Sequence, residues 1–236
     1  MKLYFNGCSH TWGDDLQNPL TQSWPAVLSQ RLGCDFVNDS QSGGTNDRII
    51  YRTIKNLDEF DKFYLAWTYT SRFTRYRSDN NHDVNFNLQI THSLYGKDQD
   101  FKNYAKLHYQ TWHNELYSFK LWLQNIILLQ SLFKIKNKKY LMINSCHNFI
   151  NQWSVAWQNF NNSVKSLLCF DCMDDTQLYA EHQEIQKLLC QIDYSNYPGW
   201  GTWCITSLKH PVGPTGHLLD AGHQAIAEFV LKHDPH

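Results

Sequence analysis

Short apolar runs alternate with stretches of helical periodicity along this chain, and no other feature restricts the fold as much. Leu3-Tyr4-Phe5 is a buried-strand run. From Gln22 to Leu32, Trp24, Val27, Leu28 and Leu32 recur at helical spacing until Gly33 stops them. Asp35-Phe36-Val37 is a second strand, and Thr45 to Leu57, with Ile49, Ile50 and Ile54 behind a cap at Thr45 or Asn46, is a second helix. Lys62 to Trp67 is a third strand. Leu107 to Phe133 reads as one long helical region, and Tyr140 to Ile143 is a fourth strand after the basic turn Lys136 to Lys139. Helices over Thr176 to Cys190 and Leu218 to Leu231 complete about five β-α units. Strands separated by helices belong to an α/β fold with a mainly parallel sheet of about five strands. A polar stretch from about Ser78 to Asp100 breaks the alternation, and an insertion or lid is expected around 78–106. With 236 residues, no internal repeat and no low-complexity linker, a single domain over 1–236 is expected.

Composition excludes several functions. Hydrophobic residues make up 42% of the chain and charged ones 18%, with 13 Tyr, 13 Phe and 9 Trp, which is ample for a core. The net charge is −1 and no Lys/Arg block occurs, so neither nucleic acid nor an acidic membrane surface is an expected partner. The N-terminal apolar stretch is too short for a signal peptide or anchor, and the stretch near Ile126 to Leu129 is too short to span a bilayer. A cytoplasmic protein is expected, and nothing in the pattern fixes an oligomeric state. Seven scattered cysteines do not form a disulfide framework. Cys169-Phe-Asp-Cys172 lacks the second ligand pair that a zinc site needs, and no His pair has ligand spacing. No metal or cofactor is therefore expected.

Four local patterns carry the chemistry. Gly7-Cys8-Ser9-His10-Thr11 follows the first strand, which sets a serine at the carboxyl edge where open α/β sheets bind ligands. The same serine would also suit a helix cap. Asn38 to Asn46 holds the pair Gly43-Gly44 after the second strand, where backbone N–H groups can face the crevice. Ala66-Trp67-Thr68 ends the third strand, with Arg72 four residues beyond. Gly213-Pro214-Thr215-Gly216-His217 precedes the last helix, stiffened so that its histidine can reach a neighbouring strand end.

In this order the blocks resemble those of the SGNH, or GDSL-type, hydrolase superfamily, over nearly the whole chain. The resemblance implies a three-layer α/β/α sandwich of flavodoxin-like topology and a serine esterase or acyl hydrolase acting on a small-molecule or glycan ester. It makes Ser9 the nucleophile despite Cys8 in place of the family's Asp, and His217 the general base. The oxyanion donors it implies are Ser9, Gly43 and, in place of the family's Asn, Thr68. Asn46, Trp67 and Arg72 are the candidates to orient a polar acyl acceptor. Pro214 stands where the family has the carboxylate partner of the histidine. A literal Asp-x-x-His occurs as Asp220 and His223, an alternative pair that falls inside the last helix, so His217 is preferred. A non-catalytic relative that keeps the crevice as a binding module for a glycan or protein is the competing expectation.

Overall fold

The computed structural model describes residues 1–77, 82–86, 99–145, 175–198 and 210–234. Four parallel strands form the main sheet: β1 (Lys2–Asn6), β2 (Asp35–Asn38), β3 (Lys62–Trp67) and β6 (Lys139–Asn144), in the order β2-β1-β3-β6. Leu3 pairs with Phe36 on one side of β1 and with Lys62 on the other, and Phe63 pairs with Tyr140. Each of these strands lies where the apolar runs place it.

Side chains alternate across the sheet, so each strand feeds two cores. Leu3, Phe5, Tyr64, Ala66, Leu141 and Ile143 face α3 (Trp24–Leu32) and the last helix, α8 (Asp220–Lys232). Tyr4, Phe63, Leu65, Trp67, Tyr140 and Met142 face α4 (Asn46–Lys55), α6 (Glu115–Ile135) and α7 (Asp175–Leu189). Helix, sheet and helix are the three layers of an α/β/α sandwich. All six residues of β3 are buried, as befits a central parallel strand covered on both faces.

Helix ends follow local chemistry. Gly33 closes α3 in the left-handed region, and Thr45 caps α4 by accepting the Arg48 N–H at 3.2 Å. Asp39, just past β2, accepts from Nε and Nη2 of Arg52 at 2.8 and 2.9 Å and from the Tyr4 hydroxyl at 2.8 Å, so β1, β2 and α4 are tied together.

Within the stretch expected as an insertion, β5 (His82–Phe86) pairs antiparallel with β4 (Phe73–Arg77) as a second sheet of two strands. One expectation is corrected. The region read as one helix from Leu107 is broken. Helix α5 (Gln99–Leu107) runs into a wide turn over His108–Trp112, and α6 starts afresh behind Asn114, whose side chain accepts the Tyr117 N–H at 2.9 Å. The apolar core face belongs to α6, with Leu116, Phe119, Leu123, Ile126 and Leu129 buried, whereas Tyr104 and Leu107 of α5 are exposed. The Cys169 to Cys172 stretch lies outside the described residues. No helix among the described residues is long and apolar enough to cross a membrane.

Candidate active site

In the order β2-β1-β3-β6, connections from β1 and β3 leave in opposite directions, so a crevice opens between the carboxyl ends of these two strands. The turn after β1 and the end of β3 border it. Cys8 is the buried N-cap of the short helix α1 (Ser9–Trp12), and its carbonyl accepts the N–H groups of Thr11 and Trp12, both at 2.9 Å. Ser9, as first residue of that helix, has an N–H that the helix itself does not use. Ser9 keeps 5% exposure.

The second loop packs directly on this turn. A Cβ on Gly44 would stand 2.8 Å from the Gly7 carbonyl oxygen and 3.4 Å from the Cys8 Cα, so only glycine permits the approach. Gly43 beside it has φ +71, and a Cβ there would meet no atom within 4 Å. Gly44 itself donates its N–H to Gln41 at 2.8 Å, which leaves Gly43 as the donor available from this pair.

At the end of β3, Thr68 is 2% exposed and doubly held. Asn46 grips its backbone from both sides, accepting the Thr68 N–H at 2.9 Å and donating to its carbonyl at 3.2 Å. Arg72 donates Nη1 to the Thr68 hydroxyl at 2.9 Å and to the Gly44 carbonyl at 3.3 Å. Because the hydroxyl oxygen accepts from a guanidinium, its own proton is left to donate. The Arg72 guanidinium lies 5.0 Å over the Tyr69 ring and makes no ion pair among the described residues. Arg72 lines a pocket of about 290 Å³, walled by Phe73, His108, His113 and Tyr117.

His217 comes from a loop closed at both ends. Val212 bridges Leu218, and Gly213 donates its N–H to the His217 carbonyl at 2.8 Å. The ring of His217 packs against that of His10, with centroids 4.7 Å apart, which brings the loop to the residue next to Ser9. Asp15 meets the loop from the far end of the α1 turn. Its Oδ2 accepts the Thr215 N–H at 3.0 Å, the Thr215 hydroxyl at 2.8 Å and the His217 N–H at 3.1 Å. The Thr215 hydroxyl in turn lies 2.8 Å from His217 Nδ1, whereas Asp15 Oδ2 is 3.7 Å from that nitrogen, too long for a hydrogen bond. Burial works to raise the Asp15 carboxyl, but the hydrogen bonds from Thr215 and His217 outweigh it and hold it below the usual carboxylate range. Burial holds His10 below the usual imidazole range against an opposing influence of Cys8, and the neighbouring His217 and the Arg72 guanidinium add to the lowering.

The structure thus gathers Ser9, Gly43, Thr68, Arg72 and His217 around one crevice. No hydrogen bond joins the Ser9 hydroxyl to His217 or His223 among the described residues. Three expectations need correction. Trp67 is 1% exposed within the core against α6, so it does not face a ligand. Asn46 spends its amide on the Thr68 backbone and positions that residue instead. The alternative pair does not form: Asp220 is exposed on the first turn of α8, while His223 is 1% exposed and accepts the Trp24 N–H through Nδ1 at 3.1 Å. That contact caps α3, and burial lowers the His223 pKa to about 4. Sequence reasoning missed Asp15, Thr215 and His10. The acidic pair Asp14-Asp15, one turn past the serine, was a signal within reach.

Known proteins with this architecture include TesA, which is 16% identical over 99% of this chain and 97% of its own, with a TM-score of 0.50. A lipolytic protein of the G-D-S-L family from Desulfitobacterium hafniense DCB-2 is 14% identical over 98% of each chain, with a TM-score of 0.47. The acetyl xylan esterase AlAXEase is 10% identical over 98% of each chain, with a TM-score of 0.47. The likeness to TesA is one of fold, the three-layer α/β/α sandwich. No curated protein matches the sequence. A family model does match residues 15–159, more than half of the chain, and the protein belongs to that family, the family of unknown function DUF6071.

Proposed function

We propose that this protein is a serine esterase or acyl hydrolase with Ser9 as nucleophile and His217 as general base. One observation supports the reading above others: a loop closed by its own hydrogen bonds delivers His217 to the turn that carries Ser9, with Nδ1 engaged and Nε2 facing no protein partner among the described residues. The Ser9 hydroxyl attacks the ester carbonyl while Nε2 takes its proton, and the same proton then passes to the departing alcohol. Water repeats the sequence on the acyl-enzyme and returns Ser9. The tetrahedral oxyanion is met by the N–H groups of Ser9 and Gly43 and by the Thr68 hydroxyl, which Arg72 polarises. The pocket beside Arg72 receives a polar portion of a small-molecule or glycan ester, with Phe73 as an aromatic wall.

The distance Ser9 must close is in keeping with catalytic contacts that tighten only once substrate is bound. A second reading, a catalytically impaired module that binds a glycan or protein in the same crevice, draws support from the low exposure of Ser9 and from Cys8, Thr68 and Pro214 at altered family positions. A fluorophosphonate probe separates the two. Adduct on Ser9, located by peptide mass spectrometry, lost in Ser9→Ala and in His217→Ala but kept in His223→Gln, is expected of the hydrolase. Folded protein that takes no label is expected of the module.

A further inference from the structure

We propose that Asp15 and Thr215 together replace the missing acidic partner of His217, with the Thr215 hydroxyl relaying the Asp15 carboxylate to Nδ1 and so fixing the tautomer that leaves Nε2 free to act as a base. This rests on the reading of His217 as the base and adds two positioning residues to it.

Proton assignment follows from donor and acceptor capacity. The Asp15 carboxylate is held ionised by its hydrogen bonds, and an ionised carboxylate only accepts. The Thr215 hydroxyl, 2.8 Å from Asp15 Oδ2, must therefore be the donor in that contact. A hydroxyl carries one proton, so toward His217 Nδ1, also at 2.8 Å, its oxygen can only accept. Nδ1 then bears the hydrogen, and the neutral ring keeps its lone pair on Nε2. The opposite tautomer would set two bare oxygens against each other between Asp15 and Thr215.

Asp15 does not reach the ring by itself. Its Oδ2 already accepts three donors, the Thr215 N–H and hydroxyl and the His217 N–H, and it lies 3.7 Å from Nδ1. The hydroxyl spans that gap. When Nε2 takes the Ser9 proton, Nδ1–H still donates to Thr215 and Thr215 still donates to Asp15, so the positive ring faces an oriented dipole backed by a negative charge. No proton leaves Nδ1, and the only proton moved is the one Ser9 gives and the leaving alcohol receives. Glycine at 213 is required by the same contact. A Cβ there would stand 2.5 Å from the Asp15 Cβ and 2.7 Å from Oδ2. Asp15 meets this loop from a left-handed backbone, φ 69, which Asp and Asn tolerate better than most residues.

The test has two readouts on the full chain. Long-range ¹H–¹⁵N spectra of uniformly labelled protein report which nitrogen of neutral His217 carries hydrogen, independently of any activity. The wild type is expected to show the Nδ1–H form, Thr215→Val to lose it and Thr215→Ser to regain it, with melting curves establishing that each variant is folded. The rate of fluorophosphonate labelling at Ser9 is expected to fall about 10²-fold in Thr215→Val, to recover in Thr215→Ser and to fall in Asp15→Asn, since general-base assistance is worth about that much. Wild-type His217 in the Nε2–H form, or a tautomer that Thr215→Val leaves unchanged, overturns the relay. An Nδ1–H form that depends on Thr215 in a protein whose Ser9 takes no label upholds the relay and overturns the hydrolase reading.

Discussion

Thr68 and His223 show how two polar side chains of similar burial serve different ends. Thr68 ends β3 at the crevice, and its hydroxyl is kept there by Asn46 behind its backbone and Arg72 on its oxygen. Thr68→Val keeps the shape and removes the donor. Labelling of Ser9 is expected to slow roughly tenfold or more, somewhat less than the loss of a strong oxyanion donor, while Thr68→Ser retains most of the rate. His223 works on stability instead. Its pKa is lowered from the ordinary 6.5 to about 4, so the folded chain refuses a proton that the unfolded chain accepts. The resulting stability is whole above pH 6.5 and drains away as the pH falls toward 4. At ~1.4 kcal/mol per unit the loss is about 3 kcal/mol, and burial of His10 pushes in the same direction. Denaturant melts at pH 7.5 and pH 4.5 should show a smaller acid loss in His223→Gln, whose amide oxygen can still accept the Trp24 N–H. An equal loss in both proteins would contradict the assignment.

At the level of elements, caps and tight loops set where the site residues stand. Thr45 caps α4 and thereby fixes Asn46, which in turn fixes Thr68. Thr45→Ala is expected to cost about 1 kcal/mol of stability and to slow labelling through Thr68, both measurable on the same preparation. The loop from 213 to 217 is more exacting, since Gly213 lies against Asp15 with no room for a side chain. Gly213→Ala is expected to destabilise the protein by about 1–3 kcal/mol, as overpacking does, and to lower labelling along with it. A variant that labels at the wild-type rate would show that the loop can shift without moving His217. The short helix α1 and its Gly13 turn carry Ser9, His10 and Asp15 on one compact unit. The chain thus brings Ser9 and Asp15 from one segment and His217 from another.

Over the whole molecule, the two cores hold the sheet and the last helix closes it. Lys62 of β3 is buried and pairs with Asp234 at 2.5 Å, and the Tyr64 hydroxyl donates to the same oxygen at 3.0 Å, so the segment after α8 is anchored to the central strand. Burial, with Asp234 alongside, pushes the Tyr64 phenol well above its usual range, so this contact stays a neutral donor to a carboxylate. Asp234→Ala strips a buried ammonium of its carboxylate, and a loss of about 3–5 kcal/mol is expected, read as a drop in melting temperature of roughly 2–4 °C per kcal/mol. Labelling of Ser9 at a temperature where the variant is folded should be unchanged, because none of these groups borders the crevice.

Amino-acid order by itself determined the alternation of strands and helices, the parallel sheet and the positions of Ser9 and His217, because these depend on patterns local in sequence. A period of two or 3.6, a glycine stop or a Ser-bearing turn acts within about ten residues. Lys62 to Trp67 and Asp35 to Val37 were legible for that reason, and so was the loop that presents His217. What tertiary structure alone decided is which distant groups meet. Asp15 and Thr215 are two hundred positions apart and share no motif, yet the closing of α8 against α3 brings them within hydrogen-bond distance. Trp67 and Asn46 were misread for the same reason: residue type suggests a ligand contact, but burial in one core and a backbone partner across the crevice assign them elsewhere. Asp220 and His223 carry the expected spacing, and helix geometry turns the one to solvent and the other to the N-terminus of α3. Spacing along a chain states what is possible, and packing selects which partner each polar group receives.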